Sequence, residues 1–114
     1  MARISTHVLD IAQGQPAKGI PVRLERQALG GNWQLLASAH TDQDGRCVQL
    51  LPDNEALNIG VYRLGFDTAA YFAARKVDGF YPLVEITFQI RNAEQHFHIP
   101  LLLSPHGYTT YRGS

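Results

Sequence analysis

The chain has 114 residues, 45% of them apolar and 18% charged, with ten acidic side chains balancing ten basic ones. This suits a single globular domain over residues 1–114 that buries roughly two-thirds of its unfolded surface, so association with further copies is an expected source of extra burial. The neutral balance and scattered Lys and Arg argue against nucleic acid, the lack of any long apolar window argues against a membrane span, and the lone Cys47 excludes an internal disulfide and a Cys-based zinc knuckle. Met1-Ala2-Arg3-Ile4-Ser5 lacks the charged head and apolar stretch of a secretory leader, so the cytoplasm is the expected compartment.

Alternation with a period of two dominates the chain and predicts strands. Residues 4–10 put Ile4, Thr6 and Val8 on one face and Ser5, His7 and Leu9 on the other, until Gly14-Gln15-Pro16 ends the run. A second strand covers 20–27 with Ile20, Val22 and Leu24 inward, and Gly30-Gly31-Asn32 supplies a hairpin connection to a third over 33–41. The tight turn Asp42-Gln43-Asp44-Gly45 leads into a short strand over 46–51, and 60–66 carries Tyr62, Leu64 and Phe66 on one side. Asp67 then caps the one predicted helix, 68–76, built on Ala69, Ala70, Ala73 and Ala74, with Arg75 and Lys76 at its C-terminal dipole and Gly79 beyond. Strands over 84–90 and 96–103 follow, and the turn Ser104-Pro105-His106-Gly107 opens a last one over 108–112. Eight strands with one helix between the fifth and sixth predict an all-β sandwich.

Histidine is the first candidate for chemistry. His96 and His98 share one face of their strand, with Phe97, Ile99 and Leu101 on the core side, and His7 points outward from the first strand. Three readings are open for this trio: solvated surface polarity, a zinc site, or a proton-transfer site using neutral imidazole. Arg46, just after the Asp44-Gly45 turn, is either a solvated turn residue or a forked donor for an oxyanion or planar ligand. Cys47 faces the opposite side and reads as a buried thiol. No Gly-x-Ser-x-Gly elbow and no glycine-rich phosphate loop occurs, so an enzyme built on this chain would use water as its nucleophile and no cofactor. The polar run Tyr108 to Ser114 reads as an exposed edge that requires a partner strand.

Five segments, in order, resemble one family: Ser5-Thr6-His7-Val8-Leu9-Asp10, Thr41-Asp42-Gln43-Asp44-Gly45-Arg46, Phe80-Tyr81-Pro82, His96-Phe97-His98-Ile99-Pro100-Leu101-Leu102-Leu103-Ser104-Pro105 and Tyr111-Arg112-Gly113-Ser114. Together they span essentially the whole chain and are similar to the 5-hydroxyisourate hydrolases, the transthyretin-like proteins. The resemblance implies a sandwich of two four-stranded sheets with one short helix, assembled as a homotetramer, a dimer of dimers, around a channel with an active site at each end. It also implies hydrolysis of 5-hydroxyisourate to 2-oxo-4-hydroxy-4-carboxy-5-ureidoimidazoline, without metal or other cofactor. His7, Arg46 and His98 match the catalytic positions, and Tyr111, Arg112, Gly113 and Ser114 match the substrate-binding signature. In the expected mechanism His7 or, on nearly equal grounds, His98 activates water, Arg46 stabilises the oxyanion, and His98, where His7 is the base, orients the substrate or protonates the leaving nitrogen. Two other functions fit the same residues: a small-ligand carrier of the same fold, and a zinc-binding protein using His7, His96 and His98.

Overall fold

The computed structural model describes residues 3–114. Nine strands and one helix follow in chain order: β1 (Ile4–Asp10), β2 (Gln15–Pro16), β3 (Pro21–Gln27), β4 (Trp33–His40), β5 (Arg46–Cys47), β6 (Gly60–Phe66), α1 (Thr68–Ala74), β7 (Val84–Ile90), β8 (Phe97–Ser104) and β9 (Gly107–Thr110). One sheet has the order β4-β3-β6-β7, all antiparallel. In the other, β1 lies beside β8, which pairs β9, and the far edge of β1 is shared by β2 and β5. β2 sits opposite Leu9 and Asp10, and β5 opposite Thr6 and His7, so the five strands fill four columns. The sandwich expected from the sequence is therefore present, with one additional two-residue strand.

β1 and β8 run parallel, and a parallel pair needs a crossover; here most of the chain lies between the two. The alternation expected for both strands holds. Ile4, Thr6, Val8 and Asp10 of β1 and Phe97, Ile99, Leu101 and Leu103 of β8 are buried, facing a core that includes Val22, Leu24, Tyr62, Leu64, Phe66, Val84 and Ile90. Asp10 is a buried carboxylate with its oxygens satisfied: Oδ1 accepts from the Ala12 and Gln13 amides, and Oδ2 from the Tyr71 hydroxyl at 2.7 Å. Burial and that bond push the Tyr71 hydroxyl up to about 12. Among the described residues no helix is long and apolar enough to cross a membrane.

Several elements differ from the expected boundaries by a residue or two, the last strand running over Gly107–Thr110 and β8 starting after His96, and three departures have a clear physical cause. The strand over 46–51 stops at Cys47 because the Gln49 side-chain oxygen takes over as acceptor for the Ile4 and Leu51 amides. That curl lets the consecutive Leu50 and Leu51 both bury, which a regular strand forbids. In β4 a bulge opposite Leu24 and Glu25 skips Leu36, so Leu36 and Ala37 both pack on the core while Leu35 is exposed. The helix keeps its Asp67 cap, whose carboxylate accepts from the Ala70 amide at 3.0 Å, but ends at Ala74. Lys76 enters the left-handed region at φ 58°, where its amide and that of Val77 close on the carbonyls of Ala73 and Phe72. Gly79 serves close packing rather than capping, since a Cβ there would strike the Phe72 ring.

Candidate active site

The site occupies the outer face of the β1–β8 pair, where the odd residues of β1 and the even residues of β8 point away from the core. Ser5 and His98 are register partners, and His7 lies two residues further along the same face. Arg46 arrives from the other edge of β1, directly opposite His7. The turn before it is built to deliver it there. Asp42 Oδ1 accepts from the amides of both Asp44 and Arg46 at 2.9 Å, and the Gly45 amide donates to the Asp42 carbonyl at 2.9 Å. Gly45 adopts φ 75°, and a Cβ on it would collide with the Val8 carbonyl oxygen. The bare backbone can therefore dock on β1, where the Val8 amide donates to the Gly45 carbonyl at 2.7 Å.

His7 Nε2 lies 2.9 Å from the Asp44 carbonyl oxygen. A carbonyl only accepts, so this nitrogen carries the proton and the neutral ring keeps its lone pair on Nδ1. His98 is half-buried, with Nδ1 2.8 Å from the Ser5 hydroxyl oxygen. Burial, followed by the nearby charges of Arg46 and His7, holds its imidazole below the ordinary value of 6.5, which favours the neutral ring. Gly113 completes the setting. Its amide donates to the His98 carbonyl at 2.8 Å, and its α-carbon lies so close to the ring that a Cβ would stand 2.6 Å from His98 Cδ2.

An open cleft of about 520 Å³ is lined by Arg3, Ser5, Arg46, His96, His98 and Ser114, among others. Its lining side chains bring guanidinium, imidazole and hydroxyl groups and no carboxylate, beside the apolar Val48. Such a surface suits a planar ligand rich in carbonyl oxygens and a transition state that develops negative charge. Cys47 adjoins the cleft, but burial, with Asp42 nearby, pushes its thiol up to about 11, away from the reactive thiolate.

The structure gathers Arg46, His98 and Ser114 on the cleft and places His96, exposed, on its rim. His7 meets Arg46 across the ladder and lies outside the cleft lining, near enough that its protonated form disfavours that of His98. The terminal tetrapeptide divides. Tyr111 and Arg112 flank a second pocket of about 210 Å³ with Ile86, Phe88, Phe97 and Ile99, and His98 lines this pocket as well as the cleft. There the Arg112 guanidinium lies over the Phe97 ring, 5.0 Å from its centroid, and donates to the Gln95 side chain at 3.1 Å. Among the described residues of this one chain no three His, Cys, Asp or Glu side chains gather to hold a metal. Ser5 has no local signature that marks it as a functional residue. Alternation places it on the correct face, but its pairing with His98 depends on a register between residues 93 positions apart.

Residues 4–113 match the family model described as the HIUase/Transthyretin family. The 5-hydroxyisourate hydrolase of Mus musculus is 48% identical over 112 residues, covering 97% of this chain and 94% of that protein. Among solved structures, Klebsiella pneumoniae 5-hydroxyisourate hydrolase superposes with a TM-score of 0.86 at 37% identity, over 100% of both chains. Sea bream transthyretin in complex with thyroxine gives 0.91 at 29% identity, over 98% of this chain and 95% of that one.

Proposed function

The chain belongs to the HIUase/Transthyretin family, and from that premise we propose that it hydrolyses 5-hydroxyisourate to 2-oxo-4-hydroxy-4-carboxy-5-ureidoimidazoline. The observation that carries this reading is the cleft in which Arg46 and a neutral His98 meet with no carboxylate side chain in the lining. His98 Nε2 takes a proton from water as its oxygen adds to the cyclic amide carbonyl, and the oxyanion forms beside the Arg46 guanidinium. The C–N bond then breaks, and the imidazolium returns its proton to the departing ring nitrogen. Water thus supplies both the hydroxyl of the new carboxyl group and the proton on nitrogen.

Of the two histidines open for the role, we assign the water proton to His98, because His98 lines the cleft, whereas His7 Nε2–H is committed to the Asp44 carbonyl. His7 holds the turn that carries Arg46 through the Asp44 carbonyl. Ser114 closes the cleft beside His98, while Gly113 sets the His98 ring; Tyr111 and Arg112 anchor the terminal run through the adjoining pocket. A carrier for an apolar ligand would present an apolar wall, and the charged lining of this cleft does not suit one.

The direct test is to generate 5-hydroxyisourate with urate oxidase and follow its ultraviolet decay with and without the purified protein, with no metal or nucleotide added. Accelerated decay is expected. A decay rate unchanged by the protein overturns the hydrolase reading.

A further inference from the structure

We propose that Ser5 is the positioning residue of His98: its hydroxyl oxygen accepts the Nδ1 proton and so presents the Nε2 lone pair to the cleft as the proton acceptor. The inference deepens the hydrolase reading and rests on it for the identity of the reaction. Its geometric basis is independent of the substrate.

Two contacts locate the ring. Ser5 Oγ stands 2.8 Å from Nδ1, held there by the register that places Ser5 opposite His98 on the parallel pair. The Gly113 α-carbon closes the Cδ2 edge so tightly that no side chain fits between. With one nitrogen bonded and one carbon edge covered, Nε2 is the nitrogen left to face a reactant.

A serine hydroxyl donates or accepts, so the distance alone permits two neutral tautomers. If Ser5 donated to Nδ1, the proton of neutral His98 would sit on Nε2 and that nitrogen could not act as a base. Once the ring becomes imidazolium, Nδ1 is an N–H donor in any case. Acceptance by Ser5 is therefore the one arrangement that survives both protonation states without reorienting the hydroxyl, and it confines proton exchange to Nε2. The hydroxyl's own proton is then free to turn into the cleft that Ser5 lines, where it can meet a substrate carbonyl.

The test combines a spectroscopic and a kinetic measurement on the full chain. Nitrogen-15 NMR of the His98 imidazole, assigned with His98→Gln, should show a protonated Nδ1 and an unprotonated Nε2 in the free protein near neutral pH. In Ser5→Ala the Nε2–H tautomer should rise, kcat should fall roughly tenfold to a hundredfold, part of the ~10²–10⁴ that acid–base catalysis supplies, and KM should change little. Ser5→Thr keeps the hydroxyl and should restore most of kcat. A wild-type ring protonated on Nε2 overturns the proposal, as does a Ser5→Ala variant with full kcat, or a Ser5→Thr variant as impaired as Ser5→Ala. Because the tautomer is read without substrate, wild-type protein that leaves 5-hydroxyisourate untouched counts against the hydrolase reading, while the NMR result still decides the assignment of Ser5.

Discussion

At the scale of single residues, the site is a small set of donors and acceptors whose protonation is constrained by what each one touches. Replacing Arg46 or His98 by Ala should lower kcat/KM by roughly a hundredfold or more, the usual scale for lost oxyanion or acid–base help, and His7→Ala should do the same by freeing the turn that carries Arg46. Circular dichroism and thermal melts should show these variants folded. His40→Ala, exposed on β4 in the opposite sheet, is the control and should keep full activity. The pH profile follows from His98. Its folded-state value lies below 6.5 because burial, Arg46 and His7 all disfavour the imidazolium. Activity that needs the neutral ring should persist below pH 6.5 and disappear as pH falls through the depressed value. The unfolded chain takes up this proton first on acidification, so stability should also decline as pH drops through 6.5. In Arg46→Met, removal of the positive neighbour should move the His98 NMR titration midpoint upward; an unmoved or lowered midpoint would contradict the coupling.

At the scale of elements, the turn before β5 and the cap of α1 make a useful contrast. Gly45→Ala places a methyl group against the Val8 carbonyl at a positive φ, so it should destabilise the fold by roughly 1–3 kcal/mol. It should also displace Arg46 and reduce kcat/KM more than the loss of stability explains. Asp67→Ala removes a helix cap, on a segment that contributes nothing to the cleft, and should cost about 1 kcal/mol in urea denaturation with kcat unchanged. Equal kinetic damage from the two substitutions would mean that the turn has no special part in placing Arg46. The same elements show where alternation misleads. It holds along β1, β6, β7 and β8, whose core faces are regular. It fails after Cys47 and within β4, where a side-chain acceptor and a bulge let neighbouring residues bury together.

At the scale of the whole molecule, β7 and β9 are open edges on the same side of the sandwich, next to the pocket that Tyr111 and Arg112 flank. Seven-residue β7 carries one charge, no proline and no bulge, so its edge is well formed for pairing with another strand. We expect the protein to be a tetramer built from edge-paired dimers. Sedimentation equilibrium across micromolar concentrations should give four times the 12.7 kDa chain mass, and a monomer with full activity would contradict the assembly. Closure by a neighbouring copy would exclude water from the outer face of β1 and β8 and strengthen the electrostatics of Arg46.

Much of this was legible in the sequence. Period-two patterning is a local property, so the strands, the buried faces and the outward direction of His7 and His98 could be read from neighbours in the chain. The Asp67 cap and the Asp42–Gly45 turn were legible for the same reason, and the five ordered motifs pointed to the family. The tertiary structure decided what depends on distance along the chain. The parallel register that sets Ser5 against His98 joins residues 93 apart, and the docking of Gly45 on Val8 is what puts Arg46 opposite His7. The folding back of residues 111–114 sends Ser114 to the cleft and Arg112 to another pocket. Alternation assigns a side chain to a face, but it carries no information about which strand lies alongside, and the chemistry of this site arises between strands.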